Sequence, residues 1–196
     1  MGRASRADAA KHRGQVVTAA ARMFRERGLA GVSVPELMAE AGLTHGGFYR
    51  HFESKESLAG TACLAAFDEQ FDRVESIITE HPEDRAAAHA ELLDRYLSTA
   101  HRDDPGGGCA NAGLACDAAR SEPGGPVRAS FATGLERAID QLARLVDQPA
   151  GSAEARRAAV VEVSTLVGAL MLARAASDNP ISEQILNTVR THLNGV

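Results

Sequence analysis

The chain has 196 residues, of which 44% are hydrophobic, 24% charged and only 4% aromatic, with no Trp. That balance excludes a disordered polymer and leaves enough chain for one domain or two small ones. The net charge of −5 is uneven: residues 1–55 carry nine Lys or Arg against five acids, and the remainder twelve against twenty-one, so a basic head precedes an acidic body.

Taken in chain order, residues 1–8 read as a basic arm, with Arg3, Arg6, Lys11 and Arg13 available to phosphates. From Ala9 to Arg27, apolar residues at Val16, Val17, Ala20, Met23 and Phe24 have helical spacing, and Gly28 is a natural terminator. Ser33 is placed to cap a second helix with Pro35 in its tolerant first turn. Gly42 makes a turn, and a short third helix is expected from Thr44 to His51, pinned by Phe48 and Phe52.

A fourth helix opens at Ser54 and runs to about Glu80, where Pro82 breaks it. A fifth reaches about His101, followed by the strong loop signal Asp103-Asp104-Pro105-Gly106-Gly107-Gly108. Further helices are expected at Cys109–Arg120, Val127–Val146, Ala153–Ser177 and Ile181 to about Asn194. The Ala153 helix is apolar over most of its girth and needs cover on two sides. The expected fold is all-α, with about nine helices and no strand.

The third helix concentrates groups that touch nucleic acid. Gly46 and Gly47 each cost about 1 kcal/mol relative to Ala inside a helix, which makes sense where backbone must approach another surface. Thr44, His45, Tyr49, Arg50 and His51 can donate to phosphate oxygens or base edges. Lys55 stands at a helix start, where its charge opposes the dipole unless an external phosphate reverses the sign. Ser33 can make a similar contact at the start of the second helix.

The run Phe24…Gly28…Ser33-Val34…Ala41-Gly42-Leu43…Phe48-Tyr49-Arg50-His51-Phe52-Glu53-Ser54-Lys55-Glu56-Ser57-Leu58 resembles the DNA-binding region of the TetR/AcrR family of bacterial transcriptional regulators. The resemblance covers about the first quarter of the chain strongly. It implies a helix-turn-helix DNA-binding domain at 1–54 and an effector-binding and dimerisation domain at 55–196. It places Tyr49 and Lys55 on phosphates, Ser33 and Thr44 at helix-start contacts, and His45, Gly46 and Gly47 in the groove. It further implies a homodimer built from the last two helices and an effector cavity between the fourth and eighth. The expected function is a sequence-specific regulator, a repressor released from a palindromic operator by a small molecule.

Candidates for that cavity are Cys63, Phe67, Phe71, Tyr96, Cys109, Leu114, Phe131, Leu135, Leu166, Leu170 and Met171. The scarcity of chargeable residues among them suggests an apolar or weakly polar effector. For the dimer interface the candidates are Val160, Val163, Val167, Leu170, Ile185, Leu186, Val189 and Leu193. Cys109 follows three glycines at a helix start, a place that favours a negatively charged sulfur. An electrophile- or oxidant-sensing thiol is therefore an alternative trigger, and a ligand-independent DNA-binding protein is another.

No enzyme is expected, since no nucleophile elbow, P-loop or dinucleotide fingerprint occurs. Nor is a cofactor or metal: Cys63, Cys109 and Cys116 lack CxxC spacing, and His81, His89, His101 and His192 lack ligand spacing. Asp68, Asp72 and Glu75 read as a solvated face. With no N-terminal apolar segment, and an uncharged run of only Val163–Ala173 in the apolar helix, the expected location is the cytoplasm.

Overall fold

The computed structural model describes residues 6–195. Among them are nine α-helices and one 3₁₀ helix, and no strand. In order they are α1 (Arg6–Arg27), α2 (Val34–Glu40), the 3₁₀ helix (His45–Arg50), α3 (Lys55–Glu80), α4 (Arg85–Tyr96), α5 (Thr99–Asp103), α6 (Ala110–Arg120), α7 (Pro126–Leu142), α8 (Ala153–Ala175) and α9 (Ile181–Leu193).

Several boundaries follow from side-chain caps. Ser33 accepts from the Glu36 amide while the Glu36 carboxylate accepts from the Ser33 amide, closing a capping box at the start of α2. Ser54, Asp84 and Ser152 cap α3, α4 and α8 in the simpler one-way manner. Gly28 and Gly42 sit at φ 71° and 70°, which only glycine adopts cheaply, and they set the turns on either side of α2.

Three expectations change. Arg6–Asp8 belong to α1, not to an arm, and the remainder of the predicted arm, with Arg3, lies outside the described residues. The third helix is 3₁₀: Gly47 N–H reaches Thr44 O and His51 N–H reaches Phe48 O, in a six-residue stretch weakened by two glycines. The fifth helix splits at Leu97, because the Ser98 hydroxyl takes the His101 amide and donates to the Arg95 carbonyl, competing with the helical ladder.

Two buried clusters organise the chain. The first joins α1, α2, the 3₁₀ helix and the first half of α3 around Phe24, Leu37, Met38, Phe48 and Leu58, and extends into α6 and α7 through Leu114 and Val127. Packing therefore continues across residue 54 without a break. The second fills the space among the end of α3, α4, the end of α7, α8 and α9, with Leu93, Leu142, Leu166 and Leu186 inside. By length and composition alone α8 is apolar enough to cross a membrane; here α7 and α9 pack against it.

Candidate nucleic-acid interface and effector cavity

At the basic end, Phe48 is fully buried and Phe52 nearly so, and they fasten the 3₁₀ helix to the core. The opposite side of that short helix carries Tyr49, 72% exposed, with its ring edge against Phe48. Thr44, His45, Gly46 and Arg50 are exposed, while Gly47 and His51 are half-buried. Space around Gly46 is open, whereas a Cβ at Gly47 would lie 3.5 Å from Met38 Cε. The cluster thus presents one aromatic hydroxyl, several donors and a bare glycine backbone on a single protruding turn.

Ser33 is exposed but already engaged: its hydroxyl donates to Glu36 Oε2 at 2.6 Å, and Arg27 donates to the other oxygen at 2.7 Å. These hydrogen bonds, Ser33 first and then Arg27, hold the Glu36 carboxyl down at about 2. Lys55 is also engaged, donating to the Leu29 carbonyl. That carbonyl is neutral, so the hydrogen bond orients the ammonium at the start of α3 without supplying a countercharge. Arg13 lies over the Phe52 ring, 4.9 Å from its centre.

The head is tied to the body at two places. Leu29 N–H donates to Asp117 of α6, so the same residue is gripped by Asp117 on one side and Lys55 on the other. Arg25 of α1, almost wholly buried, pairs with Glu69 at 2.6 Å and also reaches the Gly108 carbonyl. Arg73 of α3 donates to that same carbonyl at 3.3 Å. A side chain at Gly113 would crowd Arg25, which allows α6 to lie close to α1.

Within the body, an outer chamber of about 310 Å³ is lined by Gln70, Arg73, Val74, Ser76, Ile77, Leu92, Arg95, Tyr96, His101, Gly107 and Cys109. Gln70, Val74, Leu92, Tyr96 and Cys109 are shared with an inner recess of about 60 Å³, closed by Asn111, Ala138, Gln141, Leu142, Val163, Leu166 and Val167. At the junction, His101 Nδ1 lies 2.7 Å from the Tyr96 carbonyl and its Nε2 accepts from the Cys109 amide at 3.1 Å. A carbonyl only accepts and an amide only donates, so the ring is the neutral Nδ1–H tautomer. Burial pushes the His101 pKa down, which agrees with that state.

Of the predicted cavity residues, Tyr96, Cys109 and Leu166 line this space. Cys63, Phe67 and Leu114 are buried in the first core cluster with Phe131 packed against it, and burial lifts the Cys63 thiol to about 12. Phe71 carries Arg137 over its ring, Leu135 packs on the second cluster, Leu170 is fully buried and Met171 is half-buried. Sequence reading missed Gln70, Arg73, His101, Asn111 and Gln141, because a polar residue leaves no mark in an apolar periodicity. They make the chamber more polar than expected.

The predicted interface residues divide similarly. Val163 and Val167 face the recess, and Leu170 and Leu186 are buried within the protomer. Ile185, Val189 and Leu193 are partly buried against the second cluster. Val160 is exposed, and it is joined on α8 by Val161 at 66% and Leu172 at 61%. Asp68 and Glu75 pair with Arg137 and Arg144, and the described residues contain no group of three metal-ligating side chains.

Comparison with known proteins bears on the same two regions. The profile described as "Bacterial regulatory proteins, tetR family" matches residues 16–61, from the middle of α1 into the first turns of α3. The transcriptional repressor KstR2 of Rhodococcus jostii is 31% identical over 84 residues, which is 43% of this chain and 41% of that protein. The chain thus spans less than half the length of this curated relative. A TetR transcriptional regulator from Chloroflexus aurantiacus is 28% identical with a TM-score of 0.76, over 95% of this chain and 94% of that one. Reduced NemR of E. coli has the same fold at 18% identity and a TM-score of 0.78, covering 95% and 96%. The sequence match thus lies on the helix-turn-helix, residues 16–61, and the fold match to a TetR transcriptional regulator runs along the whole chain.

Proposed function

We propose that the chain acts as a homodimeric, sequence-specific transcriptional regulator in the cytoplasm, a repressor released from a palindromic operator by a small molecule. In this reading residues 1–54 read the DNA, and 55–196 bind the effector and the second copy. The observation that carries it is the 3₁₀ turn, which holds Tyr49 outward on two buried phenylalanines beside an open Gly46 backbone. Thr44, His45, Arg50 and His51 supply further donors, with Ser33 and Lys55 as further contacts at the starts of α2 and α3.

The test is binding to duplex DNA from the promoter region beside the protein's own gene, followed by fluorescence anisotropy. Tyr49→Ala is expected to lose about tenfold in affinity, the scale of one good hydrogen bond to a charged group. Its thermal midpoint is expected to fall only slightly, since the side chain is mostly exposed and its one ring contact is the edge-on one with Phe48. Affinity should also fall steeply with salt, because most contacts are to phosphates. Unaltered affinity in Tyr49→Ala would remove the residue from the interface.

A thiol trigger is the second reading, supported by the position of Cys109 on the wall shared by both chambers. If it holds, N-ethylmaleimide releases operator DNA from the wild type and not from Cys109→Ser. Equal release from both would dismiss the thiol.

A further inference from the structure

The inner recess contains an unusual pairing of an apolar wall with polar atoms that have no partner. Asn111 is 3% exposed, and its Oδ1 is buried without a hydrogen bond. The Tyr96 hydroxyl is likewise buried without an oxygen or nitrogen partner, its neighbour being the Cys109 thiol. By contrast, Gln70 and Gln141 are each engaged: Gln70 accepts from the Ala110 amide, and Gln141 donates to the Phe71 carbonyl. A buried polar group left unmatched costs about 1–3 kcal/mol, so two of them in one recess ask for a common partner.

The dimensions and charge of the space define that partner. About 60 Å³ accepts a polar tip of two or three heavy atoms, and the adjoining chamber of about 310 Å³ accepts an apolar body. Among the described residues no Asp, Glu, Lys, Arg or His lines the recess, so a charged tip would be stripped of water with nothing opposite it. Arg73 and Arg95 stand in the outer chamber only. The geometry points to a head-group subsite, formed by Asn111 and Tyr96, for an uncharged, largely apolar molecule ending in a hydroxyl or carboxamide. Such a tip donates to Asn111 Oδ1 and accepts from the Tyr96 hydroxyl. The assignment rests on the effector-cavity reading and names the chemistry of its ligand.

Four probes of one body test it: benzyl alcohol, benzamide, toluene and benzoate, titrated calorimetrically into the full chain without DNA. Benzyl alcohol and benzamide are expected to bind about tenfold more tightly than toluene or benzoate, one matched hydrogen bond's worth. Asn111→Leu, which keeps the volume, is expected to erase that preference and leave toluene unaffected. A higher thermal midpoint of this variant without ligand would show that the fold survives and that the orphaned carboxamide is gone. The subsite is overturned if the four probes bind alike, as when water already completes these groups. It is equally overturned if benzoate binds best, if the alcohol and amide fail to bind at millimolar concentration, or if Asn111→Leu keeps the preference. Because no DNA is present, failure to bind an operator would defeat the regulator reading alone, and this calorimetry would still decide the subsite.

Discussion

His101 is one imidazole with two hydrogen-bonding partners that agree about its proton. The Tyr96 carbonyl takes Nδ1–H, the Cys109 amide occupies Nε2, and the Tyr96 ring closes edge-on at 4.7 Å between centres. Protonating Nε2 would set two donors against each other at the start of α6. The direction of the pH effect follows. The folded pKa lies below the ordinary 6.5, so the neutral ring's contribution is complete above that value. It is lost as pH falls through the lowered folded value. Urea unfolding from neutral to mildly acid pH is expected to show stability falling on acidification, with a shallower slope in His101→Gln. An identical slope in that variant would show that other groups govern the acid limb. The residue was visible in the sequence only as a histidine without ligand spacing; its role depends on α4, α5 and α6 meeting, which no local pattern encodes.

At the scale of elements, the sequence was most legible where a cap and a breaker bracket a periodic run. Ser54 and Pro82 bound α3, and the structure starts it at Lys55 and ends it at Glu80. It was least legible where hydrogen bonds compete over two or three residues, as at Ser98 and in the Gly46-Gly47 turn. Close approaches between elements were also hidden. Gly134 on α7 leaves no room for a methyl because the Phe67 ring of α3 fills that place, and Gly60 of α3 rests on Pro126 of α7. Both glycines look merely permissive in the sequence, yet they let the two helices pack at close range. The candidate interface residues show the converse limit. An apolar helix such as α8 offers no contrast from which to choose its outward face: Val163 and Val167 line the recess, whereas Val161 and Leu172 are exposed.

For the whole molecule, α5 is a small hub. Arg174 of α8 donates to the carbonyls of His101 and Arg102, and Arg102 donates to Ser182 of α9, which in turn donates to Ala173. Through His101 the hub meets the start of α6, and through Arg25 at Gly108 and Leu29 at Asp117 that segment meets the basic N-terminal end. A continuous set of contacts therefore joins α8 and α9 to the basic end, passing the chambers on the way. If the outward apolar face of α8 seats a second copy, burying Val161 and Leu172, a charge there would be left desolvated and unpaired. Light scattering after size-exclusion chromatography is expected to give twice the chain mass for the wild type and the single-chain mass for Leu172→Glu. Retention of the double mass would put the interface elsewhere.

The length of α3 gives these contacts mechanical reach. Val74 touches the chambers and Lys55 opens the helix at the basic end, and nineteen residues of helix, about 28 Å, separate them. A tilt of about 5° at the Val74 end swings the other tip through an arc of about 2.5 Å, most of the roughly 3.4 Å rise between stacked bases. If two copies sit on one duplex as proposed, two such arcs in opposite senses are enough to put their protruding turns out of step with the groove.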